Sequence, residues 1–488
     1  MKKLLSKYRN MSIVAKAALW FTFATMLQKG IAFLTVPVFT RIMDPAQYGM
    51  FNVYLSWISV LTIICGMEFH TCVYINGLAK MKTEKEKEEL AVSLLDLSCI
   101  ITAVLYLAYL IAHEQINQFL GMNTVMVSLM FLEALFVPVV NLWSTKQRFT
   151  YSYRKLLLWT IIQVTLNASL GIVFVLISTK ENQALARVFS IALVQIIFGI
   201  ILMVWFFSRA KMVFSKKYWK KAMILHLPIL PHKLSLTILA SADRIMIEKM
   251  INAEATAMYS VAYSASMVIN LIKLSLNDAL TPWIYDCIKN KNYNSLRKNT
   301  VYIMLLVVGM AFVFILFAPE IIWVVGSEKY MEAIYTIPPV AASVFFTFLY
   351  NLFSSVEFYY EKTKLVMVAS IVAAVLNILL NLVCIYFWGY IAAGYTTLVC
   401  YIVLCVMHYI FMKKAVNENI GKNIELFNNK VILILSFVVI LSTAVFSISY
   451  SFVIIRYSLI AGIAITLLVF RKRIMGLFKE IKSKKAKK

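Results

Sequence analysis

Arg41-Ile42-Met43-Asp44-Pro45-Ala46-Gln47-Tyr48-Gly49-Met50-Phe51-Asn52-Val53-Tyr54-Leu55-Ser56 has a partner 208 residues later, Lys249-Met250-Ile251-Asn252-Ala253-Glu254-Ala255-Thr256-Ala257-Met258-Tyr259-Ser260-Val261-Ala262-Tyr263-Ser264. Met50/Met258, Val53/Val261 and Ser56/Ser264 are identical, and Arg41/Lys249, Asp44/Asn252 and Phe51/Tyr259 are close substitutions. Each copy bridges the first and second of a set of six apolar runs. Six is even, so the two sets share one orientation and their symmetry axis lies along the membrane normal. That is the parallel-repeat plan of secondary transporters, which handle substrate where the halves meet.

Working outward, apolar runs near the ~20 residues a span needs fall at about 14–36, 47–70, 90–112, 122–145, 156–178, 185–207, 222–242, 256–283, 300–318, 331–356, 365–388, 390–412, 430–450 and 452–470. They are too long for barrel strands, so the expectation is an all-α polytopic membrane protein of about 14 transmembrane helices. Two six-helix lobes, 1–215 and 216–415, precede two further helices and a basic tail over 416–488.

Composition agrees. The 488 residues are 61% hydrophobic and only 15% charged, with a mean hydropathy of +0.80, where soluble chains carry roughly 25% charged residues. Lys+Arg outnumber Asp+Glu 48 to 23. With the N-terminus inside, 38 of those 48 cations fall in cytoplasmic segments and 7 in outward ones, a positive-inside pattern that replaces the nucleic-acid reading of a basic chain. It puts both termini in the cytoplasm of a cell whose plasma membrane the chain crosses many times. The first run, after Met1 to Lys16, reads as a retained helix, not a cleaved signal. The tail from Arg471 to Lys488 suits anionic lipid. Cys65, Cys72, Cys99, Cys287, Cys384, Cys400 and Cys405 show no ligand spacing and read as small apolar residues. No metal cluster, nucleophile–base pair or GxxxxGK[ST] appears, so no cofactor, metal or catalytic residue is expected, and no ATP-driven step.

Three cations remain inside runs: Lys29, Lys233 and Lys273. Each costs ~2.5–3.5 kcal/mol at mid-bilayer unless it faces water or a partner. Thr22 and Thr25 share the face of Lys29. Thr237, Ser241 and Arg244 continue the face of Lys233, and Tyr259, Tyr263, Ser266, Asn270, Lys273 and Asn277 recur along one face of the eighth run. Polar faces from both halves imply a shared cationic cavity lined by Lys29, Lys233 and Lys273, with Arg41 and Arg244 toward its outer end and Thr25, Tyr263, Ser266, Asn270 and Asn277 on its wall. Glu133, Asp96, Asp243 and Asp278 are the candidates for counter-ions or for coupling to a proton or cation. Asp243 and Arg244 can instead pair locally. His226 and His408 read as buried, hydrogen-bonded histidines, and Pro228 and Pro231 as a kink in the seventh helix.

Lys29-Gly30-Ile31-Ala32-Phe33-Leu34-Thr35-Val36-Pro37-Val38-Phe39-Thr40-Arg41-Ile42-Met43, followed by Asp44-Pro45-Ala46-Gln47-Tyr48-Gly49, resembles the N-terminal signature of bacterial polysaccharide-unit flippases. These are the Wzx-like polysaccharide biosynthesis proteins of the multidrug/oligosaccharidyl-lipid/polysaccharide exporter superfamily. Ser241-Ala242-Asp243-Arg244-Ile245-Met246-Ile247 and Met258-Tyr259-Ser260-Val261-Ala262-Tyr263 resemble the matching stretch of their second half, with Ala257 where glycine is expected. The resemblance implies two lobes of twelve to fourteen helices around a cationic cavity. The expected cargo is an undecaprenyl-diphosphate-linked oligosaccharide moved across the cytoplasmic membrane by alternating access, for surface polysaccharide assembly of the capsule or O-antigen kind. Membrane lipids, a polysaccharide polymerase and glycosyltransferases are the expected partners. Lysines and arginines suit the diphosphate. The competing readings are a multidrug or cation antiporter of the same superfamily, which should line its cavity with carboxylates lacking matching lysines, and a membrane polymerase or ligase, which should carry a sizeable outward loop.

Overall fold

In a computed structural model of the chain, residues 11–210, 212, 214–422, 424–462, 465 and 468 are described. Among them the secondary structure is helical throughout. The basic tail and the end of the fourteenth apolar run lie outside the described residues.

Eleven helices among the described residues are long and apolar enough to span, and counting each of two bent pairs as one span gives thirteen. In the first half these are α1 (Ile13–Ile42), α2 (Pro45–Gly66), α3 (Glu84–Ile111), α4 (Thr124–Phe149), α5 (Tyr153–Ile177) and α6 (Gln183–Phe207). In the second they are α7, α8, α9 (Tyr293–Leu316), α10 (Ile337–Tyr359), α11 (Thr363–Trp388) and α12 (Ile391–Asn419), with α13 (Asn429–Ser449) beyond. Helix α7 is the pair Lys216–His226 and Leu230–Met250, bent by 57°. Pro228 and Pro231 sit at that bend, where their missing N–H groups break the hydrogen-bond ladder. Helix α8 is the pair Ala253–Ala265 and Met267–Lys289, bent by 41° at Ser266. The sequence pattern puts Tyr259 to Asn277 on one face of one helix. No proline marks this break, and its polar stripe is two stripes meeting at a corner.

The repeat is visible in the caps. Asp44 and Asn252, 208 residues apart, stand at the N-caps of α2 and α8. The Asn252 side chain accepts from the Ala255 N–H at 2.8 Å. Asp44 makes no such bond, and Pro45, which has no N–H, stands at the first position of α2. Short helices follow the third span of each half: His113–Leu120 after α3 and Ala318–Gly326 after α9.

Two large apolar cores organise the packing. One joins α1, α2, α4 and α6 to Ala257, Val261, Ala318, Ile322 and Tyr330 of the other half. The second lies among α8, α9, α10, α12 and α13, with α10 buried along most of its length. The outward faces of α1, α5 and α13 are apolar and exposed, as lipid-facing helices require. No cysteine forms a disulfide, and four of the seven are buried.

Candidate functional site

Lys273, on the second piece of α8, is 9% exposed. Its ammonium donates to Thr347 Oγ1 of α10 at 3.0 Å, and no carboxylate reaches it. The charge that acts on it from across the gap is another cation, Lys29 of α1, and α1 packs against α8. Lys29 itself is half-buried and has no acidic partner among the described residues. Each half therefore contributes one lysine without an ion-paired carboxylate among the described residues, and the charge of one acts on the other. Two ammonium groups in a low-dielectric region repel one another and call for an anion between them.

Lys233 is elsewhere. It forms an ion pair with Glu68 Oε2 at 3.5 Å, at the end of α2 where Met67 and Glu68 adopt left-handed backbone. The pair is partly exposed and joins the two halves. Nothing among the described contacts links Lys233 to the Lys29–Lys273 pair. His70 and His226 stand in the same cluster, and both nitrogens of the buried His226 ring lack a hydrogen-bond partner.

The four acidic candidates separate as well. Glu133 on α4 accepts from the Tyr54 hydroxyl at 2.9 Å and feels the charge of Arg187, not that of a candidate lysine. Asp96 is half-buried on α3 and Asp278 is exposed; neither forms an ion pair among the described residues. Asp243 does not pair with Arg244. It is 1% exposed and accepts from Asn381 Nδ2 at 2.7 Å, Thr397 Oγ1 at 2.7 Å, Asn377 Nδ2 at 3.3 Å and the Tyr259 hydroxyl. Thr396 in turn donates to Asn381 Oδ1. Helices α7, α8, α11 and α12 thus meet on one buried carboxylate whose oxygens accept four hydrogen bonds. Asn377 and Asn381 escape a sequence search for charges. Their signal is two carboxamides four apart on an otherwise apolar span, which puts both on one face.

Arg244 lies over the Tyr263 ring, 4.3 Å from its centroid, donates to Ala240 O at 3.3 Å and leaves a buried Nε without a partner. Its charge acts on Tyr48 of the other half. Thr25 and Ser266 spend their hydroxyls on their own helices, at Phe21 O and Ala262 O, and Ser266 is fully buried at the α8 bend. Asn270 and Asn277 stay half-buried, and Asn277 Oδ1 has no partner. His408 is hydrogen-bonded, its Nδ1 lying 2.8 Å from Glu357 Oε1 between α10 and α12.

Arg41 turns away from the lysines. Its guanidinium donates to Val324 O at 2.9 Å, Trp323 O at 3.3 Å and Pro37 O at 2.7 Å, while Thr40 donates to Val325 O at 2.8 Å. Side by side with these bonds, Gly49 of α2 lies so near Ala253 of α8 that a Cβ there would stand 1.7 Å from the Ala253 carbonyl oxygen. The 1–2 and 7–8 connections therefore close this end of the bundle. Toward the opposite end the halves are joined by the Glu68–Lys233 pair, by a hydrogen bond of 2.9 Å from Trp219 Nε1 to Ser93 O and, deeper in, by a Ser59–Ser241 hydrogen bond of 3.1 Å.

Comparison with known proteins adds five findings. The family model described as polysaccharide biosynthesis protein matches residues 14–287, and the MatE model matches 228–383. Lsg locus putative protein 1 of Haemophilus influenzae is 22% identical over 391 residues, covering 75% of this chain and 90% of that one. The fold is similar to a lipid II flippase, MurJ, in an inward closed conformation (TM-score 0.66, 15% identity, 93% of this chain and all of that one). It is similar too to an inward-facing multidrug resistance MATE family transporter of the MOP superfamily (TM-score 0.64, 14% identity, 83% of this chain and 99% of that one).

Proposed function

Because the chain belongs to the polysaccharide biosynthesis protein family, we propose that it is a flippase that carries an undecaprenyl-diphosphate-linked oligosaccharide across the cytoplasmic membrane by alternating access. The observation that carries this reading is Lys29 and Lys273, one cation from each half, neither ion-paired with a carboxylate among the described residues. A diphosphate is the fixed feature of every such lipid and supplies the missing charge. The oligosaccharide occupies the polar seam near Asn270 and Asn277, and the polyprenyl tail stays in lipid between lobes 1–215 and 216–415. Residues 416–488 lie outside the repeat. Both termini are cytoplasmic, so the Glu68–Lys233 pair guards the cytoplasmic mouth and the Arg41 and Gly49 contacts close the outer one. A family model of polysaccharide biosynthesis and a fold shared with a lipid II flippase support the cargo class.

Asp243 is the coupling candidate, because a carboxylate held by four helices gains or loses a proton or cation only with movement of those helices. The same carboxylate is the observation that favours the second reading, a cation antiporter of the MatE kind. The two readings part at the lysines. Replacing a phosphate contact by Ala removes a charge-assisted hydrogen bond of roughly 1.5–3 kcal/mol, about 10- to 150-fold in affinity. Lys29→Ala and Lys273→Ala should therefore abolish glycan export at normal membrane abundance, while Lys273→Arg retains part of it. Parental export by both Ala variants would remove the lysines from the substrate path.

A further inference from the structure

The sequence repeat reappears at the closed end as a crossed pair of clasps. A helix leaves its last four carbonyls without intrahelical donors, at the negative end of its dipole. In Ala318–Gly326 the Val324 and Val325 carbonyls are taken by Arg41 and Thr40 from the end of α1, and Arg41 also reaches the Trp323 carbonyl, which accepts from the Ser327 N–H as well. The donors belong to the first half and the acceptors to the second. The residue 208 positions after Arg41 is Lys249, at the end of α7. Its ammonium donates at 3.1 Å to the carbonyl of Gln118, one of the last four of His113–Leu120. Here the donor belongs to the second half and the acceptor to the first. Gly121, in left-handed backbone, lets Lys249 and Glu248 come this close, since a Cβ there would lie 3.1 Å from both side chains. Equivalent cations of the repeat thus reach across the molecule to the helix that follows the third span of the opposite half.

The choice of acceptor matters. A carboxylate would hold either cation through a full charge, whereas a helix terminus offers about half of one. Lys249 has one carboxylate nearby, that of its neighbour Glu248 at 3.8 Å, and Arg41 has none among the described residues. Both cations are exposed at their ends of the clasps. Their bonds to neutral carbonyls are weaker than the charge-assisted bonds that either would make to a phosphate.

We infer that Arg41 and Lys249 form an anion-released gate: a diphosphate arriving at the closed end takes both cations from the carbonyls of 323–324 and 118, and the halves part there. Release becomes conditional on cargo, because only the anion offers the cations a better partner than the clasp. The inference rests on the flippase reading for the source of the diphosphate alone.

The test uses the full chain in phosphatidylcholine nanodiscs, with nitroxides on genetically encoded ketone residues at Glu181 and Lys329, both exposed and one in each half. Pulsed electron resonance reads the distance between them, and inorganic pyrophosphate is the probe. The parent should be closed alone and gain a longer-distance population with pyrophosphate. Arg41→Ala and Lys249→Ala should raise the open population about 10-fold or more without pyrophosphate and lose the response to it. Arg41→Lys and Lys249→Arg should stay closed and responsive, which a merely structural role for these side chains would not require. Variants that remain as closed as the parent would overturn the clasp. A parent that ignores pyrophosphate, or that opens only when phosphatidylglycerol replaces part of the lipid, would overturn release by diphosphate. Pyrophosphate-driven opening without glycan export would uphold the gate and sink the cargo reading, so the two fail separately.

Discussion

Gly49→Ala adds one methyl group where the two halves touch. Its Cβ would stand 1.7 Å from the Ala253 carbonyl oxygen, 2.7 Å from the Ala253 carbonyl carbon and 3.2 Å from the Ala257 nitrogen. All three are backbone atoms, so no side chain can rotate aside. Ordinary contact begins near 3.4 Å, and reaching it from 1.7 Å requires α2 and α8 to part by about as much again. Overpacking of this kind costs roughly 1–3 kcal/mol, which shifts a two-state equilibrium by about 5- to 150-fold. The cost falls only on the state in which this end is closed. Gly49→Ala should therefore populate the open end without ligand, lengthening the Glu181–Lys329 distance, and should lower glycan export at normal abundance because the return to the cytoplasm-facing state is impeded. A Gly49→Ala protein that is as closed as the parent and exports at the same rate would refute the claim that this contact is the gate.

Asp243→Asn keeps the size of the side chain and removes the exchangeable charge, so export should stop while the protein still reaches the membrane; export at the parental rate would exclude Asp243 from coupling. Glu357→Leu leaves the buried His408 ring without its acceptor, and a thermal melt of the purified protein should show a loss of roughly 1–3 kcal/mol, with an unchanged Tm counting against the pair. Glu68→Ala should loosen the cytoplasmic mouth by no more than about 1 kcal/mol, since its bridge to Lys233 is partly exposed; a cysteine cross-link between these two positions should trap one state and block export, and free export through the link would contradict alternating access. Cysteine labelling from outside the cell should miss Lys216 and Arg297, because the positive-inside pattern puts both in the cytoplasm, and outward labelling at either would overturn the proposed topology.

The spans were legible because lipid demands long unbroken apolar runs, and each of the first thirteen runs has its helix or bent pair. The repeat was legible at Asp44 and Asn252, where a helix start constrains residue type. The bend in α7 announced itself through Pro228 and Pro231; the bend at Ser266 has no proline, and the Ser266 hydroxyl there bonds the Ala262 carbonyl of its own helix, a back-bond that often accompanies a bend. Arg41 drew notice as a charge near the membrane, yet its partners are backbone carbonyls, which carry no side-chain signature. Hydropathy alone groups Lys233 with Lys29 and Lys273, whereas its partner Glu68 lies at the end of an apolar run, where charge is cheap and carries little signal. Asn377 and Asn381 hold Asp243 through hydrogen bonds that a search for opposite charges does not find.

The central claim is that the Lys29–Lys273 pair carries a lipid-linked diphosphate from one leaflet to the other. Its most direct test is transbilayer movement of an undecaprenyl-diphosphate-linked oligosaccharide in proteoliposomes of the purified chain, scored by the access of an external glycosidase to labelled glycan. The parent should bring inner-leaflet glycan to the enzyme, and Lys29→Ala and Lys273→Ala, reconstituted at equal amount, should leave it protected. Movement by the double variant at the parental rate, or no movement by a parent that instead exports an organic cation, would contradict the account.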